Sequence, residues 1–189
     1  MVAGMDCLGL VKVSVVWASQ TGCAESIAAS IGDDLKSVPG LHVEVLSMLR
    51  YVRQKRELNL EKYIVFVVSS TGEGDAPDNG DRFMRLLNRK KSPEDWLSNL
   101  QYVVLGLGDS NYTQYQGCPR RLEKLLNRVG ATALLPRGEA DDATGLEDVV
   151  EPFRKDLKEL FVSVVAKRMS GKDEANEGGK AEAVIGVEG

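Results

Sequence analysis

Apolar positions along this chain follow two alternating rhythms: short β-branched runs, and longer stretches with a helical repeat. Val11 to Trp17 is a β-branched run that stops at polar residues, as a strand does. From about Gly22, the residues Ala24, Ile27, Ala28, Ile31 and Leu35 recur at the spacing of one helix face, and Pro39-Gly40 ends that helix. Leu41 to Ser47 is a second strand, joined to the third by a basic stretch from Arg50 to Arg56. The third run, Tyr63 to Val68, is almost wholly apolar, which suits a central parallel strand covered on both faces. Phe83, Leu86 and Leu87 predict the inner side of the next helix, and Tyr102 to Gly106 a fourth strand. Leu122, Leu125, Leu126 and Val129 then mark a helix, Ala131 to Leu135 a short fifth strand, and Phe153, Leu157, Leu160, Phe161 and Val164 the last helix.

Strands alternating with helices predict an α/β fold with a doubly wound, five-stranded parallel sheet and helices on both faces. Such sheets bind ligands beyond the carboxyl ends of their strands, where the strand order reverses. Three loops leave predicted strand ends with unusual polarity, at 19–25, 69–78 and 106–115. Their convergence is the functional signal.

The first of them, Ser19-Gln20-Thr21-Gly22-Cys23-Ala24, sets hydroxyls, a glycine and free backbone N–H groups at a helix N-terminus, where an anion can be held. No Lys or Arg occurs from Val13 to Ile31, so a phosphate bound here is held by amides, hydroxyls and the helix dipole. The missing lysine rules out a P-loop, and a G-x-G-x-x-G dinucleotide loop is absent. Taken alone, the same residues would also serve as an ordinary capped turn.

Composition narrows the setting. The 189 residues fit one domain, and a net charge of −4 makes nucleic acid an unsuitable partner. Residues 1–10 are expected to be a flexible N-terminus, 11–168 the domain and 169–189 a disordered tail or linker. The tail holds Lys172 and Lys180 against five acids, with five glycines and no apolar period. Cys7, Cys23 and Cys118 are too scattered for a disulfide framework, and no run approaches the roughly 20 apolar residues of a membrane span. A cytoplasmic, monomeric protein without membrane attachment is expected.

Together, the three loops resemble those of the flavodoxin family, and more specifically the FMN domains of the diflavin reductases. The resemblance is carried by Ser19 to Ala24, by Ser70-Thr71-Gly72-Glu73-Gly74-Asp75-Ala76-Pro77-Asp78-Asn79, and by Leu105-Gly106-Leu107-Gly108-Asp109-Ser110-Asn111-Tyr112-Thr113. It spans about Val11 to Lys167 and implies the strand order 2-1-3-4-5 with FMN as cofactor. Within that family, Gly108 to Thr113 and the segment Ala140 to Pro152 resemble the methionine synthase reductase branch.

The resemblance also assigns roles. Ser19, Gln20, Thr21, Gly22, Cys23 and Ala24 would cradle the FMN phosphate, and Ser70, Thr71, Gly72, Glu73 and Gly74 would form the second flavin loop. The Gly72 carbonyl would meet flavin N5 when that atom carries a proton, glycine allowing the peptide to turn. Leu107, Gly108, Asp109, Ser110 and Asn111 would contact the ring edge, Tyr112 would stack on one ring face, and Asp142 would be the acid near the flavin. Thr71 stands where many diflavin reductases have an aromatic residue, which leaves the second ring face without an evident partner.

The function implied is single-electron relay from an FAD/NADPH-binding reductase module to a metalloprotein acceptor, cobalamin-dependent methionine synthase if the branch is right. A free-standing flavodoxin, a P450-reductase-type FMN domain and an FMN-free regulatory domain are the alternatives. No pyridine-nucleotide motif is present, so the chain is not expected to be an NADPH-dependent enzyme on its own. The acids Glu73, Asp75, Asp78, Asp81, Glu139, Asp141, Asp142 and Glu147 would gather at the flavin rim, either as a solvated surface or as a docking face for basic partners. The single histidine, His42, gives no material for a hydrolytic triad or a zinc site. A phosphoacceptor domain of the same strand order needs an Asp at the end of the third strand, where this chain has Ser69-Ser70-Thr71.

Overall fold

Alternating valines give the first strand, β1 (Val11–Ala18), two apolar sides. Val11, Val13 and Val15 face one layer of helices; Val16 and Ala18 face the other. The computed structural model describes residues 9–89 and 92–170; of the segments expected to be flexible, 1–10 and 169–189, residues 1–8 and 171–189 lie outside the described residues. After β1 come α1 (Cys23–Lys36), β2 (Leu41–Ser47), α2 (Met48–Arg53), β3 (Tyr63–Ser69), α3 (Asp81–Leu87), β4 (Gln101–Gly108), α4 (Gly117–Arg128), β5 (Thr132–Ala133), β6 (Gly138–Asp141) and α5 (Glu147–Met169).

Every strand pair is parallel, and the order is β2-β1-β3-β4-β5, with β6 also paired to β4. The buried stripes of α1 and α5 close one face of the sheet, and α2, α3 and α4 close the other. On the second face Phe83 packs edge-on against both Tyr51 and Phe66, with ring centroids 5.6 Å apart in each pair. Ser14, buried in β1, donates to Glu61 Oε2 (3.2 Å), and Glu61 Oε1 lies 3.3 Å from Lys12 Nζ, so the buried hydroxyl is satisfied.

Three elements depart from the sequence pattern. The basic stretch after β2 is partly the helix α2, because the Ser47 hydroxyl caps it by accepting from the Arg50 N–H (3.2 Å) while Met48 and Tyr51 bury one side. In α3 it is Met84, beside Phe83 and Leu87, that is buried; Leu86 is half-buried. The fifth strand is split. Thr132 and Ala133 pair with Gln101 and Tyr102, the chain leaves the sheet around Pro136, which has no N–H to give, and Gly138 to Asp141 rejoin β4 alongside Leu105 to Gly108. α5 runs the length of the sheet, from the strand carboxyl ends to the opposite pole, where Val165 packs on Gly40 just ahead of β2.

Candidate functional site

The ladder register sets the strand ends level. Ala18 lies beside Val68, Ser69 beside Leu107, and Gly108 beside Asp141. The chain winds outward in opposite directions from β1 and β3, so the carboxyl end between them is the switch point of the sheet. A cleft of about 620 Å³ opens there, lined by Gln20, Thr21, Cys23, Ser69, Ser70, Thr71, Gly72, Leu107, Gly108, Asp109, Tyr112, Gln114, Tyr115, Gln116, Asp142 and Leu146. That size suits a small ligand.

The first loop turns into α1 through Gly22, at φ 95°. Ser19 Oγ points inward and accepts from the N–H groups of Gly22 (3.0 Å) and Ala24 (3.3 Å), while the Ser19 N–H donates to Asn79 Oδ1 (3.1 Å). Ser19, Gly22 and Ala24 therefore shape the loop and do not line the cleft, whereas Gln20, Thr21 and Cys23 do. Among the described residues, the N–H groups of Gln20, Thr21 and Cys23 have no acceptor in the chain. They stand at the positive end of the α1 dipole, and no Lys or Arg lines the cleft.

In the second loop, Thr71 and Asp75 exchange N–H···O bonds of 3.0 and 2.8 Å around Gly72 (φ 51°) and Gly74 (φ 81°). Ser70, Thr71 and Gly72 line the cleft; Glu73 is exposed outside it. Gly74 is buried beneath, where a Cβ would come within 2.9 Å of the Gln114 side chain. The Ser70 hydroxyl accepts from the Cys118 N–H (3.2 Å), which fastens this loop to the start of α4.

The third loop raises Tyr112 as a wall. Asp109 Oδ1 accepts from the Asn111 N–H (2.9 Å), the Asp109 carbonyl accepts from the Tyr112 N–H (3.1 Å), and the Tyr112 side chain is left 66% exposed. Leu107, Gly108 and Asp109 line the cleft with it, while Ser110 and Asn111 face solvent. Ser69, Gln114, Tyr115, Gln116 and Leu146 are lining residues the sequence reading missed. The available signal was the pair Gly106 and Gly108. A Cβ at Gly106 would overlap Gln116 Oε1, and one at Gly108 would sit 2.9 Å from the Tyr115 ring.

The rim is acidic. Asp142 lines the cleft, and its N–H donates to the Gly108 carbonyl (2.8 Å). Burial, then the charges of Asp142 and Glu147, push the Cys23 thiol up from its ordinary value. Hydrogen bonds from Ser110, hydroxyl first and then N–H, hold the Asp141 carboxyl below the usual range. Among the described residues no group of His, Cys, Asp and Glu could hold a metal ion, and no helix is long and apolar enough to cross a membrane.

The model of the family described as Flavodoxin matches residues 15–155. The chain belongs to the flavodoxin family. Its sequence is 43% identical over 165 residues to methionine synthase reductase of Caenorhabditis elegans, covering 86% of this chain and 23% of that protein. It is 36% identical over 157 residues to NADPH-dependent diflavin oxidoreductase 1 of Xenopus laevis, covering 82% and 26%. The chain thus spans about a quarter of the length of these curated relatives. Its fold matches the flavodoxin of Streptococcus pneumoniae TIGR4 with a TM-score of 0.67 at 22% identity, over 81% of this chain and 99% of that one.

The cofactor of the flavodoxin family is FMN, and the residues present suit it. Unused N–H groups at the start of α1 are the donor set a phosphate needs. Tyr112 supplies a flat aromatic wall, and Ser69 to Gly72 with Leu107 to Asp109 supply backbone groups for the edge of a planar ring.

Proposed function

We propose that this chain is an FMN-binding electron-transfer domain, receiving electrons from an FAD/NADPH-binding reductase module and passing them singly to a metalloprotein acceptor. Bound FMN supplies the redox chemistry, because it can hold one or two electrons. The observation that carries the reading is the pairing, in one cleft, of a cation-free set of unused N–H groups with the exposed wall of Tyr112.

In this reading Gln20, Thr21 and Cys23 offer the donors for the phosphate, while Ser19, Gly22 and Ala24 hold the loop in shape. Tyr112 excludes water from one ring face. Ser70, Thr71, Gly72, Leu107, Gly108 and Asp109 meet the ring edge, and Glu73, Gly74, Ser110 and Asn111 support the loops behind them. Asp142 places negative charge beside the ring, and no lining cation offsets it, which disfavours an anionic reduced flavin. The acids of the rim, Glu73, Asp78, Asp142 and Glu147, form the docking face, so association weakens as salt rises.

Similarity to methionine synthase reductase favours cobalamin-dependent methionine synthase as the acceptor. The test is a visible spectrum of the purified chain with added FMN, followed by anaerobic reduction with an FAD/NADPH module and then exposure to the acceptor. Flavin absorbance that is retained, bleached by the donor and restored by the acceptor is expected. Absence of flavin binding would leave a flavodoxin-fold domain without redox function.

A further inference from the structure

Four successive residues, Glu139 to Asp142, each bond to the loop that carries Tyr112. The Glu139 carbonyl accepts from the Tyr115 hydroxyl (3.3 Å) and the Ala140 carbonyl from Gln116 Nε2 (3.2 Å). Asp141 Oδ1 accepts from the Ser110 N–H (2.9 Å), and the Asp142 N–H donates to the Gly108 carbonyl (2.8 Å). Gln116 Nε2 also reaches the Gly106 carbonyl (3.1 Å), so one amide spans β4 and β6.

Gln116 is an unusual choice on packing grounds. It has no exposed surface, its Oε1 is buried without a hydrogen-bond partner, and its φ of 59° is a region that side chains other than glycine rarely occupy. Such a residue persists only where its surroundings impose it, and here both amide bonds and the slot at Gly106 do so. Asp141 acts on the other end of the same loop: one oxygen, Oδ1, accepts from both the Ser110 N–H and the Ala143 N–H (3.1 Å).

Building on the reading of the cleft as an FMN site, we propose that Gln116 and Asp141 are positioning residues that fix the Gly108–Tyr115 loop from β6, so that Tyr112 stands as a preformed wall before flavin arrives. Tyr112 is two-thirds exposed and has little packing of its own to hold it. Anchoring its backbone at both ends removes the ordering cost that binding would otherwise carry.

The full chain and its variants are titrated with FMN, read by quenching of flavin fluorescence. Asp141→Ala and Gln116→Met are expected to weaken binding about tenfold, because the cost of ordering the loop then falls on binding. Asp141→Asn keeps the oxygen that accepts both N–H groups and is expected to bind like the parent. In a Tyr112→Ala background, Asp141→Ala is expected to change affinity by about twofold or less, because the two act as one unit. Independent, additive losses, or Asp141→Asn as weak as Asp141→Ala, would overturn the proposal.

A flavin-free readout separates this from the reading it rests on. Amide hydrogen exchange across residues 109–115 in the flavin-stripped chain should quicken in Asp141→Ala and Gln116→Met and stay unchanged in Asp141→Asn. Unchanged exchange in all three overturns the positioning role, whereas a parent that takes no FMN overturns the FMN reading alone. Should Gln116→Met fail to fold, the two Asp141 variants decide.

Discussion

Gln20 and Asp78, 58 residues apart in sequence, exchange two hydrogen bonds between the first and second loops: Gln20 Nε2 donates to Asp78 Oδ2, and the Asp78 N–H donates to Gln20 Oε1, each at 3.3 Å. With the Ser19 N–H on Asn79 Oδ1, they clip the first loop to the end of the second. Both bonds are solvent-exposed, so Gln20→Ala should cost about 1 kcal/mol of stability or less. FMN affinity should fall by more than stability does, because the clip orders the N–H groups next to it. Denaturant unfolding beside an FMN titration checks this; equal losses in the two would show the clip to be structural only.

Tyr112 separates folding from binding. At 66% exposure it adds little to the core, so Tyr112→Ala should leave the unfolding free energy within about 0.5 kcal/mol of the parent. Flavin affinity should drop on the order of tenfold, from lost stacking and apolar contact. Tyr112→Trp, which keeps a flat ring, should retain most of it. Calorimetric melts of the flavin-stripped protein and fluorescence titration give the two numbers.

Gly106 and Gly72 are needed for opposite reasons. A methyl at Gly106 would run into Gln116 Oε1 and come within 2.8 Å of Pro119, so Gly106→Ala should destabilise by about 1–3 kcal/mol through overpacking. At Gly72 nothing lies within 4 Å of an added Cβ, but φ is 51°, so Gly72→Ala should cost about 1–2 kcal/mol, all of it backbone strain. Gly72→Asn, which tolerates this region better, should restore part of that loss, and Gly106→Asn should not. Urea unfolding of the four variants discriminates the two causes.

Cys23 should be a slow nucleophile despite sitting at the start of a helix. Its pKa lies above the ordinary 9.0, chiefly from burial and secondarily from Asp142 and Glu147, so at pH 8 the thiol is protonated. A group raised on folding adds stability fully below its unfolded pKa, and that contribution is lost as pH rises through the folded value. Iodoacetamide labelling at pH 8, mapped by peptide mass, should be slower at Cys23 than in an unstructured peptide. Most of that protection should survive Asp142→Asn, because burial is the larger cause. Cys118, fully buried with its thiol pushed up to about 11, should react more slowly still.

What the sequence could reveal followed from where the constraint is local. β1, β3 and β4 were legible because strands buried on both faces have to be apolar along their length. The three loops were legible because tight turns and helix starts demand glycines and hydroxyls at set places. β6 was not: Gly138-Glu139-Ala140-Asp141 buries only Ala140, and it is a strand because β4 offers it an edge. Gln116 was hidden for a related reason. A glutamine in a polar loop looks solvated, and only the slot at Gly106, ten residues earlier, makes it a buried bridge between two strands.

The course of α5 has a mechanical consequence. Its 23 residues extend about 34 Å, starting beside the cleft and finishing near Gly40 at the far pole. The far end of α5 and the mouth at Tyr112 therefore lie at opposite poles of the sheet, so the cleft can be covered or uncovered without disturbing the last turn of that helix.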